Sequence, residues 1–292
     1  MIVTVLGLGL MGGSLGLALR RASPSATVFG CTRSETRGAM ALERGAIDQF
    51  FADPVEAVRD ADVVVCCAPI LSIPEQLRAV LPGLKPGALV TDVGSTKADV
   101  QRHCTDLLAG REALFIGSHP IAGSEQQGIE AAREDLYRGA MVVITPDVAT
   151  ASEKVAMLRG LWESVGSCVV AMTPEEHDRV LAATSHLPHM VAALLAATLG
   201  QPGRRADLPR FCGAGYRDTT RIASGGVDIW MDIARTNRAA LCGELKAFAA
   251  VLSRFIEKLD HESFSDIEEI LREGKTAREA FVHYGNNANS EE

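Results

Sequence analysis

The amino-acid sequence predicts an α/β domain built on a doubly wound parallel sheet, followed by an all-α domain. Three observations carry this. Short apolar runs alternate with helical patterns of roughly ten residues as far as Met172. Gly7, Gly9 and Gly12 form a G-x-G-x-x-G directly after the first apolar run. Beyond Met172 the strand period disappears and only helical patterns remain.

Residues 1–6 are apolar, rich in β-branched types and stopped by Gly7, so they read as a strand, and residues 13–21 read as a helix. A second strand spans residues 26–30, and a helix over 36–44 is closed by Gly45. Residues 61–68, ADVVVCCA, are continuously apolar, as a strand covered on both faces of a parallel sheet must be. A helix over 74–84 and the Pro86-Gly87 turn lead to a strand over 88–91 that ends at Asp92. A helix at 97–108, strands at 113–117 and 140–145, a helix at 149–165 and a strand at 168–172 continue the rhythm. Right-handed crossovers then place helices on both faces.

Thr173-Pro174-Glu175-Glu176 is a helix start, with threonine as N-cap, proline in the first turn and Glu176 completing a capping box. Long helical patterns follow at 235–258 and 265–280, and the tail YGNNANSEE is expected to fray. The expected organisation is a Rossmann-type nucleotide-binding domain over 1–172, a helical domain over 173–285 and a flexible tail over 286–292.

With 37 acidic against 29 basic residues the formal charge is -8, which argues against a nucleic-acid partner. An apolar share of 47% excludes disorder as the main state. The N-terminus has no basic region and no cleavage site, so it is a strand and not a signal peptide. The uncharged run 180–203 is long enough for a membrane, but His186, Pro188, His189 and Gln201 mark it as a buried helix. The cysteines (Cys31, Cys66, Cys67, Cys104, Cys168, Cys212 and Cys242) are odd in number and lack zinc-like spacing. They are expected to be reduced thiols of a cytoplasmic protein, and no metal site is expected.

The glycine triplet sits between a strand and a helix. There it makes a tight turn, lets a pyrophosphate approach the backbone and aims the helix N-terminus at it. The expected cofactor contacts are Gly7, Gly9, Leu10, Met11 and Gly12, with Ala68, Pro69 and Asp92 at later strand ends. A carboxylate after the second strand would favour NAD; Thr32, Arg33 and Ser34 stand there instead and suit a 2′-phosphate. The expectation therefore leans to NADP over NAD, with Arg33 stacked on adenine as the alternative. His119, locked by Pro120, lies in a polar cluster after a strand and is a candidate base. A group titrating at about 6 to 7 is expected in the pH profile. The residues alone lead to a nicotinamide-dependent oxidoreductase with a helical second domain.

Longer stretches add to this. GLGLMGGSLGLALR (7–20), DVGSTK (92–97), SHPIAGSEQQG (118–128), HDRVLAATSHLPHMVA (177–192), YRDTTRIASG (216–225) and MDIARTN (231–237) resemble the prephenate dehydrogenase family, which includes the arogenate and cyclohexadienyl dehydrogenases of tyrosine biosynthesis. The resemblance implies oxidative decarboxylation of prephenate to 4-hydroxyphenylpyruvate with hydride transfer to NAD(P). The alternative is arogenate, which carries an amino group where prephenate has a keto group.

His119 matches the residue that accepts the substrate's hydroxyl proton, and Ser95 one that shares a hydrogen bond with that hydroxyl. Arg221 matches an arginine on the ring carboxylate, and Glu125 a gating acid. The resemblance places His189 near the substrate side chain and Trp230 at the pocket beside Arg221. Arg217 either contacts substrate or pairs with Asp218 or Glu125, and His186 either lines the pocket or serves as a structural donor. His177 and Asp178 are expected to order the pocket indirectly. His189 and Glu125 tilt the expectation towards prephenate. Relatives dimerise through the helical domain, which implies a homodimer.

Overall fold

A computed structural model describes the chain except Pro24, Glu125 and residues 288–292, together with the side chains of 282–287. Part of the expected tail therefore lies outside the described residues. The N-terminal region alternates β1 (Ile2–Leu6), α1 (Leu10–Ala22), β2 (Thr27–Cys31), α2 (Glu35–Glu43), β3 (Gln49–Phe51), α3 (Pro54–Val58), β4 (Val63–Cys66), α4 (Ile73–Val80), β5 (Leu89–Asp92), α5 (Ala98–Leu108) and β6 (Leu114–Phe115). The strands form one parallel sheet in the order β3-β2-β1-β4-β5-β6. Chain order reverses between β1 and β4, and crevices at such a reversal bind ligands beyond the strand C-termini.

The continuous apolar strands are explained by two cores, one on each face. In β4, Val63 and Val65 join a core with Val3, Val5 and Leu15, whereas Val64 and Cys66 join a core with Leu77, Val80 and Val90. Alternate side chains of a strand point to opposite faces, so both sets must be apolar. Burial also keeps thiols neutral, pushing Cys31 up to about 11 and Cys104 to about 12.

Two features of this region differ from expectation. The short elements β3 and α3 fall in a stretch where no period is long enough to read; Asp53 starts α3 by accepting from Val55 N–H at 2.8 Å. The single strand expected at 113–117 is two strands. Ile116 N–H still bonds Val90 O at 3.0 Å, and the chain then leaves the parallel sheet as β7 (Gly117–Pro120). β7 pairs antiparallel with β8 (Met141–Thr145), which pairs parallel with β9 (Cys168–Ala171), and α6 (Ser152–Ser164) connects the last two. A Cβ at Gly117 would lie 2.6 Å from Thr145 Oγ1, so the strand switch needs glycine there.

The remaining elements are helical: α7 (Pro174–Leu181), α8 (Leu187–Leu199), α9 (Ala214–Thr220), α10 (Val227–Thr236), α11 (Arg238–Asp260) and α12 (Phe264–Asn287). Thr173 caps α7, its Oγ1 accepting from Glu176 N–H at 3.1 Å. Between α7 and α8 the run 182–186 widens into one π-turn, closed by Leu187 N–H on Ala182 O. Pro188 has no N–H to offer the carbonyl four residues earlier, so the ladder slips by one residue there. The helix expected over 235–258 is interrupted at Asn237, whose backbone leaves helical geometry (φ -118°, ψ 32°).

Packing divides the chain into two compact units, Met1–Arg238 and Ala239–Glu292. The first holds both sheets together with α7 to α10. In the second, the rest of α11 and α12 are joined by Arg254–Glu273 at 3.0 Å and Lys258–Asp266 at 2.9 Å.

Candidate active site

At the β1–α1 turn the glycines meet the geometry a dinucleotide requires. Gly7 has φ +103°, and a Cβ there would sit 2.9 Å from Cys67 O. A Cβ on Gly12 would lie 2.0 Å from Gly7 O, so helix and turn close only with glycine. Gly9 has nothing within 4 Å of its Cβ position, which leaves open space for a phosphate beside the backbone. The first turn of α1, with half-buried Leu10 and Met11, has no acidic residue and no side-chain cap, so its N–H groups remain available. These features fit NAD(P).

Half-buried Thr32 and exposed Arg33 follow β2, and Ser34 caps α2 by accepting from Arg37 N–H at 3.3 Å. Half-buried Ala68 and exposed Pro69 follow β4, on the other side of the strand reversal.

Asp92 does not fit its expected role as a cofactor contact. It is fully buried and ion-paired with Lys97, and it accepts from Gly94 N–H at 2.9 Å and Ser118 N–H at 3.1 Å. Its carboxylate holds the loop carrying half-buried Ser95 against β7, and no free oxygen faces a ligand. Lys97, also fully buried, was not singled out from the sequence. A lysine five residues after an aspartate at the end of an apolar strand was the available signal.

His119 lies within β7, opposite Val143, and not in a loop after a strand. Its Nδ1 is 2.8 Å from His177 Nε2, and His177 Nδ1 is 2.8 Å from Asp178 Oδ1. The proton positions follow from the carboxylate. His177 must donate through Nδ1, so its Nε2 accepts, and His119 donates through Nδ1. That leaves the lone pair of His119 on Nε2. Asp178 is itself fixed at the start of α5, accepting from Lys97 N–H at 2.7 Å and Ala98 N–H at 3.0 Å.

Burial, followed by the neighbouring His177, Lys97 and His186, holds His119 well below the ordinary histidine range. The expected titration at about 6 to 7 is thereby corrected downwards, because the expectation took the value of a free imidazole. His177 is also lowered, chiefly by burial and partly offset by its bond to Asp178.

The second group of side chains comes from the helices. His189 and Trp230 are stacked, with ring centroids 3.4 Å apart and planes 12° apart. The ring partner of Trp230 is thus His189. A Cβ on Gly225 would meet Trp230 Nε1 at 2.7 Å and His189 Cε1 at 3.2 Å, so the stack rests on bare backbone. The His186 ring lies edge-on to Trp230 at 6.2 Å.

Arg221 is exposed just after α9. Arg217 makes no ion pair with Asp218 among the described residues; its Nη1 donates to Cys212 O at 3.0 Å. Glu125 lies outside the described residues. The structure thus brings together His119, His177, Asp178, His186, His189 and Trp230. Asn237, the last residue of the MDIARTN stretch and not among the expected site residues, donates from Nδ2 to Asp178 O at 2.7 Å, and the same Nδ2 lies 3.2 Å from His186 Nδ1.

The helical run 174–199 is long and apolar enough, by length and composition, to cross a membrane. It carries His177, Asp178, His186 and His189, all buried, and the first three hydrogen-bond within this network. Such a stripe belongs to the wall of a polar site.

Residues 15–171 match the family model described as prephenate dehydrogenase, nucleotide-binding domain, and residues 173–273 the model described as prephenate dehydrogenase, dimerization domain. The chain is 33% identical over 280 residues to a cyclohexadienyl dehydrogenase of Zymomonas mobilis, covering 94% of each chain. It is similar to the crystal structure of prephenate dehydrogenase from A. aeolicus in complex with hydroxyphenyl propionate and NAD+ (TM-score 0.88, 32% identity, 96% of this chain and 98% of that one). It is also similar to Synechocystis arogenate dehydrogenase (TM-score 0.83, 32% identity, 96% of this chain and 100% of that one). Likeness at this level along both halves is shared ancestry, and the chain belongs to the prephenate, arogenate and cyclohexadienyl dehydrogenase family of tyrosine biosynthesis, NAD(P)-dependent oxidoreductases of cyclohexadienyl substrates.

Proposed function

We propose that the chain catalyses the oxidative decarboxylation of prephenate to 4-hydroxyphenylpyruvate. The observation that carries this reading is the bond chain from Asp178 through His177, which leaves His119 Nε2 as a buried acceptor. A substrate 4-hydroxyl placed there gives its proton to Nε2 as hydride leaves C4, and His177 and Asp178 stabilise the imidazolium that forms. The bound NAD(P) supplies the hydride acceptor. The electrons of the bond to the ring carboxylate then complete the aromatic ring as carbon dioxide leaves, and the phenolate oxygen takes its proton back from His119 Nε2.

Ser95 is assigned to the same hydroxyl, where it holds the substrate in attack geometry. Arg221 is assigned to the ring carboxylate, because its planar fork matches two carboxylate oxygens. His189 and Trp230 are assigned to the substrate's side-chain end. On this reading the functional division between cofactor and substrate residues falls at 172/173.

Arogenate is the second reading, supported by the likeness to the Synechocystis enzyme. Steady-state kinetics with prephenate and arogenate, each with NAD and NADP, separates the cases, and a higher kcat/KM is expected with prephenate. Turnover of arogenate alone replaces the proposal. For the cofactor we favour NADP, because exposed Arg33 stands at the end of β2 where a 2′-phosphate would lie. Arg33→Ala should lower kcat/KM for NADP and leave NAD nearly untouched. Equal losses would mean that the guanidinium serves adenine and not the phosphate.

Homodimerisation is assigned to the helical region. On α11, Phe248, Val251, Leu252, Ile256 and Leu259 are all exposed, an apolar surface that a lone chain leaves in water. Sedimentation should give twice the chain mass, and Val251→Glu with Leu252→Glu should give the monomer. A single-chain mass for the unaltered protein would remove this assignment.

A further inference from the structure

His186 is 1% exposed, and its Nε2 has no hydrogen-bond partner among the described residues. The identity of that atom as a donor follows from its neighbours. Only the amide nitrogen of Asn237 can donate to Asp178 O at 2.7 Å, so the group 3.2 Å from His186 Nδ1 is also an N–H. His186 Nδ1 therefore accepts. Burial pushes the ring down to about 4, so it is neutral in ordinary buffers and its single proton sits on Nε2. The result is a fixed, buried N–H whose ring stands edge-on to Trp230 and close enough to His119 to disfavour a proton there.

A buried donor without a partner is costly, and a ligand acceptor relieves that cost. The cyclohexadienyl substrate offers few acceptors once the proposed assignments are made. The 4-hydroxyl goes to His119 and Ser95, and the ring carboxylate to Arg221. The side chain remains. In prephenate it carries a keto oxygen, an acceptor only; in arogenate the same carbon carries an ammonium, a donor only.

We propose that His186 is a specificity-determining residue, its Nε2–H held as a donor by Asn237 so that it receives the side-chain keto oxygen and disfavours an ammonium in that place. This rests on the substrate reading above and deepens it. Rejection comes from two donors facing each other in a dry pocket, which leaves both unpaired. Asn237 is a positioning residue: it contributes through the tautomer it imposes.

The test compares a matched pair of ligands that differ only at this carbon, 4-hydroxyphenylpyruvate and tyrosine, titrated calorimetrically into the full-length protein with NAD+ present. The readout is the ratio of the two dissociation constants within each variant, so a uniform loss of stability or affinity cancels. In His186→Phe the preference for the keto ligand should fall by about ten- to a hundredfold. His186→Gln, which retains an N–H donor, should recover part of it. Asn237→Asp should shift the ratio in the same direction as His186→Phe, because a carboxylate beside Nδ1 draws the ring proton there and leaves Nε2 as an acceptor.

An unchanged ratio in the variants, with both ligands weakened equally, would overturn the proposal. It would assign the N–H to the carboxylate that both ligands share, or to packing. Failure of the unaltered protein to oxidise either cyclohexadienyl substrate is a separate result, and it would count against the proposed function.

Discussion

His119→Asn should lower kcat by about 10²- to 10⁴-fold, the usual contribution of a positioned general base. Asparagine can still place an N–H where Nδ1 lies, 2.8 Å from His177 Nε2, so β7 and its neighbours should keep their arrangement. The dissociation constant for NAD(P)H, followed by nicotinamide fluorescence, should stay within about twofold, a change well under 1 kcal/mol. Retained turnover in this variant would end the base assignment.

The pH dependence follows from the lowered value of His119, which acts only when neutral. Activity should therefore hold as pH falls through about 6.5 and be lost on the acid side of it. The same shifts affect stability with a definite sign. His119, His177 and His186 bind protons less readily when folded, so between the folded and unfolded values the unfolded chain carries more protons. Their contribution is complete above about 6.5 and is lost as pH falls towards the folded values. Thermal melting at each pH separates unfolding from loss of the base. An acid limb centred at or above about 6.5 would contradict the burial argument.

Lys97→Met should cost about 3–5 kcal/mol of stability, because it leaves the fully buried carboxylate of Asp92 without its cation. A fall in melting temperature on the order of 10 °C is expected. Adding Asp92→Leu should not restore the loss, since the N–H groups of Gly94 and Ser118 then lose their acceptor. A shift of less than about 1 kcal/mol in Lys97→Met, the size of an exposed pair, would show that the site is hydrated.

Much of the fold was legible because its signals are local. Val63–Cys66 reads as a buried parallel strand from its own composition, and Gly7 to Gly12 as a phosphate turn from spacing alone. Thr173 announces its helix within four residues. The strand switch at Ile116–Gly117 was not legible, since it depends on pairing with residues 141–145. Asp92 misled for a related reason: a carboxylate at a strand end looks available to a ligand until Lys97 folds back onto it.

The sequence by itself determined the alternating domain, the cofactor loop and the set of histidines and arginines from which a site could be made. Only the tertiary structure decided which of them meet: His119 with His177, 58 residues apart, and His186 with Asn237, 51 apart. The physical reason is that periodicity reports which face of an element is apolar, whereas proton position depends on the atom opposite. A carboxylate on Asp178 and an amide on Asn237 set the tautomers of the two neighbouring rings, His119 through His177 and His186 directly.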